Sequence, residues 1–234
     1  MINHLALILD GNRRFAKHIM KNPWEGHRIG LDKARQAIEW TCNHGIKYIT
    51  AYVLSYENLK TRPALELNYI FKYLEDELDC VLEDKTHIVN RNNIKVNFIG
   101  RTDELPIMLR EKLGKVAEHT KNNSEFVLNI ALAYGGQQEV VDAVKHITEK
   151  AMKGILSPAQ LNEDVIKEHL YTNGQPFPDL IIRTGGEKRL SNFLPFQSVY
   201  SELMFFDKHW PEMEESDFLE AFKEFENRKR RFGN

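Results

Sequence analysis

Short apolar runs alternate along this chain with longer segments whose apolar residues recur every three or four positions. Six of the runs have the length and the Val, Ile, Phe and Tyr content of strands: 5–9, 48–54, 94–99, 126–132, 180–182 and 203–206. Near-continuous apolar strands are typical of parallel sheets that are covered on both faces. The alternation therefore predicts an α/β fold with an open, mostly parallel six-stranded sheet flanked by helices.

The segments between the strands carry helical patterns. One helix face is predicted from His27, Leu31, Ala34, Ile38 and Cys42. Gly45 follows as the expected C-terminal cap, and a second apolar stripe over 67–82 begins after Pro63. Further helices are expected near 104–121, 138–153, 158–170 and 215–230, and the one near 158 is expected to begin at Ser157-Pro158.

Length and composition limit the classes of protein that remain. With 234 residues and no long linker or repeat, we expect a single domain over 1–234. The net charge is −2, so no overall positive field favours nucleic acid. Cys42 and Cys80 cannot form a disulfide framework, and both are expected to be buried thiols. Without an apolar run of membrane-spanning length or a signal-peptide pattern, we expect a cytoplasmic protein.

A glycine turn with two arginines follows the first predicted strand. The sequence there is Asp10-Gly11-Asn12-Arg13-Arg14-Phe15. Gly11 permits a tight turn, and the following residues would begin a helix whose free N–H groups bind anions. Asp10 is an unfavourable neighbour for a phosphate unless a cation such as Mg²⁺ lies between them. The alternative interpretation is an ordinary turn before a solvated basic helix.

Two more strand ends carry polar side chains. Residues 183–192, Arg-Thr-Gly-Gly-Glu-Lys-Arg-Leu-Ser-Asn, combine paired glycines with three cations and a hydroxyl. Backbone N–H groups at the two glycines and the arginines are expected to bind a second phosphate, and the alternative interpretation is an ordinary glycine turn with surface charge. Residues 55–63 add a hydroxyl, a carboxamide and a cation, although an ordinary loop would look similar. Because ligands bind beyond the carboxyl ends of parallel strands, the three segments together indicate an enzyme for two phosphorylated substrates.

In these three segments, the chain resembles the cis-prenyltransferase family, the undecaprenyl diphosphate synthases. The motifs D-G-N-x-R at residues 10–14 and R-T-G-G-E-x-R-x-S-N-F at 183–193 carry the resemblance, which extends over nearly the whole chain. It implies repeated condensation of isopentenyl diphosphate onto an allylic diphosphate primer, farnesyl or geranylgeranyl diphosphate, with Mg²⁺. It also implies a hydrophobic tunnel for the product, a lipid-carrier precursor of undecaprenyl type.

The resemblance also implies roles for individual residues. Asp10 would hold Mg²⁺, Glu202 would be a second metal-associated carboxylate, and Asn58 would accept or relay a proton. Substrate binding would involve residues from all of the motifs: Gly11, Asn12, Arg13, Arg14, Phe15, His27, Ser55, Tyr56, Glu57, Leu59, Arg62, Arg183, Arg189, Leu190, Ser191, Arg231 and Gly233. The last two belong to a C-terminal motif that completes the partner's site in a homodimer, and product release would need transient contact with a membrane.

Several positions depart from the family pattern. Pro23 stands where an arginine is common, and Lys188 replaces a common histidine. Leu59 replaces a frequent tryptophan, and one extra residue in Lys60-Thr61 precedes Arg62. These differences resemble archaeal-type members, which use a longer allylic primer.

Other possible functions would require other residues in the sequence. A non-catalytic relative would lack Asp10 or the arginines, and a phosphohydrolase would need D-x-D where residue 12 is asparagine. RNA binding would rest on the short basic run 228–231 alone. The acidic segment 75–79 resembles one Asp-rich box of the all-helical trans-prenyl synthases, but it has no second copy and is expected to be a solvated helix face. The stripe over 67–82 and strand 126–132 are candidate tunnel walls or simply core.

Overall fold

A computed structural model describes residues 1–228 of the chain. All six predicted strands are confirmed: β1 His4–Ile8, β2 Tyr48–Ser55, β3 Ile94–Ile99, β4 Phe126–Tyr134, β5 Leu180–Arg183 and β6 Glu202–Phe205. They form one sheet in the order β3-β4-β2-β1-β5-β6. Every neighbouring pair is parallel, so the mostly parallel sheet of the sequence prediction is wholly parallel in the described chain.

Helices connect these strands. Within residues 1–228 they are α1 Asn12–His18, α2 Pro23–Asn43, α3 Tyr56–Thr61, α4 Ala64–Glu83, α5 Ile88–Arg91, α6 Ile107–Thr120, α7 Gly136–Met152, α8 Glu163–Glu168 and α9 Glu215–Asn227. The short helices α3 and α5 were not predicted. The expected helix over 158–170 is wrong, because Ser157-Pro158 begins only a 3-10 turn. Asn162 then caps a separate helix by accepting a hydrogen bond from the N–H of Val165 at 3.0 Å.

The sheet is covered on both faces, as the continuous apolar strands predict. Successive side chains of a strand point to opposite faces. Leu5 and Leu7 of β1 belong to a large core beneath α2, α4, α6 and α9. Ala6 and Ile8 belong to a second core on the other face, with Tyr134 and Phe193. β1 is therefore buried along its whole length, so only its carboxyl end can contact a ligand.

The two cysteines have different surroundings. Cys42 is buried in α2, and burial raises the pKa of its thiol to about 12. Cys80 is exposed on α4, so the expectation that both thiols are buried is wrong for this residue. The cap at Gly45 is confirmed: its φ is +69°, and its N–H donates to the carbonyl of Cys42 at 2.9 Å. Among residues 1–228, no helix is both long and apolar enough to cross a membrane.

A buried histidine joins the first strand to its neighbours. The Nδ1 atom of His4 lies 2.7 Å from the carbonyl of Pro176, so this nitrogen carries the proton. Nε2 then accepts a hydrogen bond from the hydroxyl of Thr50 at 2.8 Å, and Asn129 donates to the same hydroxyl at 2.9 Å. Burial lowers the pKa of His4 to about 4, so the ring is neutral in the folded protein.

This burial makes stability depend on pH. Below about 6.5 the unfolded chain binds a proton at His4 that the folded chain does not bind until about pH 4. We therefore expect His4→Gln to reduce the loss of stability between pH 6.5 and 4, by about 3 kcal/mol at most. Urea unfolding at a series of pH values measures this. His119→Gln, at an exposed histidine, is the control, and equal pH slopes for wild type and His4→Gln would contradict the assignment.

Candidate active site

Two predicted segments meet where the strand order reverses. Asp10 follows the carboxyl end of β1, and Arg183 is the last residue of β5, directly opposite Ile8 in the parallel register. The chain leaves β1 towards β2 on one side and returns through β5 on the other. Ligands of open α/β sheets bind in the crevice at such a reversal. The two glycine-containing motifs therefore converge at one place, as the sequence predicts.

The carboxylate of Asp10 is surrounded by donors. Its Oδ2 accepts from Nη2 of Arg183 at 2.8 Å, and its Oδ1 accepts from the N–H of Gly11 at 2.6 Å. Nη2 of Arg14 lies 3.1 Å from Oδ1. Burial raises the pKa of Asp10, but the hydrogen bond from Arg183 and the charges of both arginines outweigh it and hold that pKa below its usual value. Asp10 is therefore an ionised carboxylate.

Gly11 begins α1 in a conformation that favours glycine. Its φ is +106°, and an added Cβ would lie 2.9 Å from the Cα atom of His209. The first amides of α1 have no acceptor within the helix, and residues 11–14 line a cleft beside Asp10. The predicted glycine turn is thus present, with Arg13 and Arg14 in the helix that follows it, and anion binding there stays a prediction.

The paired glycines have a different role from the predicted one. The N–H of Gly185 donates to the carbonyl of Lys208 at 2.7 Å, and that of Gly186 donates to the carbonyl of Phe206 at 2.9 Å. The expectation that these two amides bind a phosphate is therefore wrong in this structure. A Cβ on Gly185 would lie 2.7 Å from Nη2 of Arg14, whose Nη1 donates to the Gly185 carbonyl at 2.6 Å. Because glycine has no Cβ, position 185 leaves room for the side chain of Arg14.

Arg183 joins Asp10 to the loop that follows β5. Its side chain is 5% exposed, and its Nη1 donates to the hydroxyl of Ser191 at 2.6 Å. The same Nη1 donates to the carbonyl of Arg189 at 2.5 Å. The buried Nε has no hydrogen-bond partner within the described chain. A guanidinium fixed in this way, with two of its five N–H donors left over, is prepared to bind an anion.

A cleft of about 670 Å³, here called the first cleft, opens on one side of Asp10. It is lined by the turn after β1, by α1, by the turn to α2 and the start of α2, and by Arg62 after α3: Leu9, Asp10, Gly11, Asn12, Arg13, Arg14, Lys17, Met20, Lys21, Pro23, His27 and Arg62. Pro23 lies in this lining, so the guanidinium common in the family at this position is absent. Lys17 and Lys21, which were not predicted, bring two ammonium groups to the same cleft.

The second cleft, of about 600 Å³, lies on the other side of Asp10. Its lining includes the predicted residues Ser55, Glu57, Asn58, Arg183 and Ser191. Asp10, Arg13 and Arg62 line both clefts. Two polar clefts that share a carboxylate and two arginines match the expectation of two phosphorylated substrates.

A buried carboxylate that sequence reasoning missed orients two of the predicted arginines and the predicted histidine. Glu66 is 4% exposed, and its Oε1 accepts from Arg62 at 2.7 Å and lies 2.9 Å from Nε2 of His27. Arg13 lies 3.7 Å from Oε2. The hydrogen bond from His27 lowers the pKa of Glu66, and burial lowers the pKa of His27. No helical spacing indicates this pair in the sequence, because Arg62 ends α3 with an extended backbone and Glu66 lies in the first turn of α4.

Asn192, also missed, holds the second cleft together. Its Oδ1 accepts from the N–H of Gln137 at 2.9 Å, and its Nδ2 donates to Glu57 at 2.8 Å and to Gln138 at 3.1 Å. Ser191, Asn192 and Leu194 all have positive φ, of 52°, 63° and 47°. Such a conformation costs roughly 1–2 kcal/mol per non-glycine residue, so the contacts of Asn192 must stabilise this loop.

Some predicted residues lie outside both clefts. Phe15, Tyr56, Leu59, Arg189 and Leu190 do not belong to either lining. Tyr56 instead lies beneath Lys60 and Arg101, Leu59 packs against the large core and Leu190 against the second core. Arg189 is 62% exposed and pairs with Glu187 at 2.5 Å. Arg231 and Gly233 lie outside the described residues.

Glu202 requires a correction. It begins β6 level with Leu180, whereas Arg183 is level with Phe205, so roughly 10 Å of strand separates Glu202 from the level of the site. Its carboxylate accepts from Nη1 of Arg228 at 2.7 Å. Within one chain, Glu202 and Asp10 therefore cannot share a metal ion. In residues 1–228 no three His, Cys, Asp or Glu side chains are grouped as metal ligands.

Apolar space begins behind the first cleft. A cavity of about 100 Å³, the outer cavity, shares Leu9, Asn12, His27 and Arg62 with that cleft. An inner cavity of about 90 Å³ shares five lining residues with the outer one: Leu9, Leu31, Ala34, Val53 and Leu74. Residues of α4 and β4 line this space, so the predicted tunnel walls are confirmed as lining residues. Other members of the same stripes, such as Phe71 and Leu82, pack against the core.

Comparisons with known proteins agree with this geometry. The family described as "Putative undecaprenyl diphosphate synthase" matches residues 8–233. The tritrans,polycis-undecaprenyl-diphosphate synthases (geranylgeranyl-diphosphate specific) of Methanopyrus kandleri and Methanocaldococcus jannaschii are each 43% identical to this chain, over 230 and 232 residues. These alignments cover 98% of this chain and 84% and 82% of the two relatives.

Solved structures give the same result. The lavandulyl diphosphate synthase of Lavandula x intermedia, in complex with dimethylallyl diphosphate, has a TM-score of 0.93 and 34% identity over 100% of this chain and 98% of that chain. A "probable undecaprenyl diphosphate synthase" from Campylobacter jejuni has a TM-score of 0.80 and 32% identity, with 100% and 99% covered. With the site geometry, these matches show that the chain belongs to the undecaprenyl diphosphate synthase family and is a cis-prenyltransferase.

Proposed function

We propose that this enzyme condenses isopentenyl diphosphate units onto geranylgeranyl diphosphate and produces a long polyprenyl diphosphate of undecaprenyl type, a lipid-carrier precursor. One observation carries the proposal. Two cation-lined clefts meet at Asp10, and both of them share lining residues with the outer apolar cavity. The names of the archaeal relatives, which specify geranylgeranyl diphosphate, support the choice of primer over farnesyl diphosphate.

The asymmetry of the clefts assigns the substrates. A primer with a long hydrocarbon tail needs apolar surface next to its diphosphate, because burial contributes about 0.8 kcal/mol per methylene group. Both clefts border such a surface, through Leu9 and Arg62. The first cleft has more cations and includes the start of α1, so we assign the allylic diphosphate to its amides and to Arg13, Arg14, Lys17 and Lys21. The second cleft then binds the five-carbon isopentenyl diphosphate through Arg183 and Ser191.

Asp10 fits a role in holding Mg²⁺ together with the substrate. Mg²⁺ is bound in many sites through one or two carboxylates plus substrate phosphates, and keeps several waters. Asp10 is ionised, 31% exposed and next to the anion-binding turn, so one carboxylate suffices when diphosphate oxygens complete the set. When bound, the ion would neutralise charge that develops on the departing diphosphate.

The chain's own residues position the reacting carbons. The double bond of isopentenyl diphosphate attacks C1 of the primer and forms the new C1–C4 bond, and the primer's C–O bond breaks to release diphosphate. A proton then leaves C2 as the cis double bond forms. Arg14 and Arg13 stabilise the departing anion, and Arg183 keeps the second diphosphate beside it. Asn58 lines the second cleft, where its carboxamide relays the proton.

Asp10→Asn tests this assignment. The change keeps the shape of the side chain and removes its charge, so we expect a loss of about 10³-fold in kcat with unchanged folding. Incorporation of labelled isopentenyl diphosphate with Mg²⁺ measures it. Asp142→Asn, which weakens an ion pair with Arg101 outside both clefts, is the matched control. Turnover of Asp10→Asn within threefold of wild type would mean that the carboxylate is structural.

Primer choice is tested separately. We expect kcat/KM for geranylgeranyl diphosphate to exceed that for farnesyl diphosphate by about tenfold or more, because the additional five-carbon unit buries more apolar surface. Steady-state rates with each primer, at saturating isopentenyl diphosphate, give the ratio. A ratio at or below one would contradict the proposed primer.

We further propose a homodimer of single-domain chains, each spanning 1–234, in the cytoplasm with transient membrane contact for product release. α7 presents Val141 and Val144 on one helix face with about half of each side chain exposed. A self-association surface would cover these groups. The C-terminal motif with Arg231 and Gly233 would then complete the partner's site.

The double variant Val141→Asp/Val144→Asp tests the dimer. Charges placed in an apolar interface are costly to bury, so we expect light scattering to give a dimer for wild type and a monomer for the variant at micromolar concentration. Lys145→Asp on the same helix is the charge control. A monomeric wild-type protein would overturn the proposal.

A further inference from the structure

The inner cavity contains one ionic cluster in an otherwise apolar lining. Among its lining residues within the described chain, Arg35, Glu77 and His87 carry the ionisable groups, while aliphatic side chains and one phenylalanine form the rest. Glu77 lies in the acidic segment that was expected to be a solvated helix face, and that expectation is wrong for this residue. Its side chain is only 15% exposed.

Arg35 and His87 both donate hydrogen bonds to the carboxylate of Glu77. Nε of Arg35 donates to both carboxylate oxygens of Glu77, at 3.0 and 2.9 Å, and Nη2 of Arg35 also contacts that carboxylate. Nδ1 of His87 accepts from the N–H of Val89 at 3.3 Å, so Nε2 carries the ring proton and donates to Glu77 at 3.0 Å. Burial raises the pKa of Glu77, but the hydrogen bonds from His87 and Arg35 outweigh it and lower that pKa.

The cluster lies deep along the path from the first cleft. Arg35 is twelve residues beyond the start of α2 at Pro23, about 18 Å along the helix axis, and Glu77 is at a similar depth in α4. The outer cavity contacts Gly30 and Ile70 of these helices, whereas the inner one extends to Ile38 and Val81. Arg35 and Glu77 therefore join α2 to α4 across the inner part of the hydrocarbon path.

The two cavities are too small for the chain that the enzyme makes. An engineered cavity of about 150 Å³ holds one benzene molecule. Cavities of about 100 and 90 Å³ therefore cannot hold a polyprenyl tail unless α4 moves away from α2. At the inner end, that movement would separate Arg35 from Glu77. The side chain of Arg35 is 39% exposed and can be solvated by water, whereas that of Glu77 is 15% exposed. Hydrocarbon cannot replace the hydrogen bonds that Glu77 loses, so advance past this point is costly.

We propose that the Arg35–Glu77–His87 cluster restricts the inner part of the hydrocarbon site and determines how long the product grows before release. These are specificity-determining residues for chain length, remote from the reacting carbons. The inference rests on the proposed function, because it presupposes a growing prenyl chain in the two cavities. It predicts that replacement of the ion pair by apolar side chains of similar size gives longer products.

The test compares product lengths for four proteins: wild type, Glu77→Gln, the double variant Arg35→Met/Glu77→Leu, and Asp79→Asn. Asp79 lies on the same helix and pairs with Lys112, so its substitution is the matched control. Each protein receives Mg²⁺, geranylgeranyl diphosphate and labelled isopentenyl diphosphate, and the products are dephosphorylated and separated by length. Apolar replacement of both partners is often neutral for stability, and thermal unfolding checks this.

We expect the double variant to shift the main product by two or more five-carbon units, and Glu77→Gln to shift it in the same direction by less. Asp79→Asn should match wild type, and total incorporation should stay within about threefold in all four. Wild-type lengths in both variants would overturn the inference, as would shorter products. If the double variant does not fold, the product length from Glu77→Gln alone tests the inference. No polyprenyl product from wild type would instead refute the proposed function.

Discussion

The reversal of strand order at β1 is the constraint on which the site depends. A parallel sheet brings the carboxyl ends of all its strands to one edge, and only at the reversal do two neighbouring strands send their continuing chains apart. The gap left there is occupied by Asp10 from one strand and Arg183 from the next. Both clefts, the turn at Gly11 and the loop held by Asn192 are arranged around that pair.

Charge and apolar surface are separated along one path through the molecule. The chain as a whole carries a formal charge of −2, yet cations dominate the mouth of the first cleft. Glu66 keeps Arg13 and Arg62 oriented while it is itself buried, which limits the repulsion between these two arginines. Behind this cationic mouth the lining becomes apolar over about three helical turns. A substrate with an anionic head and a hydrocarbon tail matches this order, with its head at the cationic mouth and its tail along the apolar lining.

The sequence predicted the strands well because they are short, continuous apolar runs that both faces of the sheet cover. It also located the two motifs, whose residue types are unusual at strand ends. The prediction failed where tertiary contacts determine the local structure. α3 and α5 are only one or two turns long, so no periodicity can reveal them.

The partners of several side chains were also not predicted from the sequence. Glu77 is buried because an arginine on another helix pairs with it, and the amides of Gly185 and Gly186 are taken up by the segment after β6. Glu202 was placed near Asp10 by resemblance, but the register of β6 puts it at the opposite end of its strand. None of these contacts has a local sequence signal, because each partner lies far away along the chain.

Arg183 has a consequence for how the two clefts respond to each other. One of its nitrogen atoms binds the carboxylate in the first cleft and another binds the hydroxyl in the second. A cation that engages Asp10 weakens its hold on Arg183 and leaves more of the guanidinium charge for an anion next door. Linkage then requires the converse by the same factor: an anion held by Arg183 must tighten cation binding at Asp10. The two half-sites are thus energetically coupled through a single side chain, and their occupancies are cooperative.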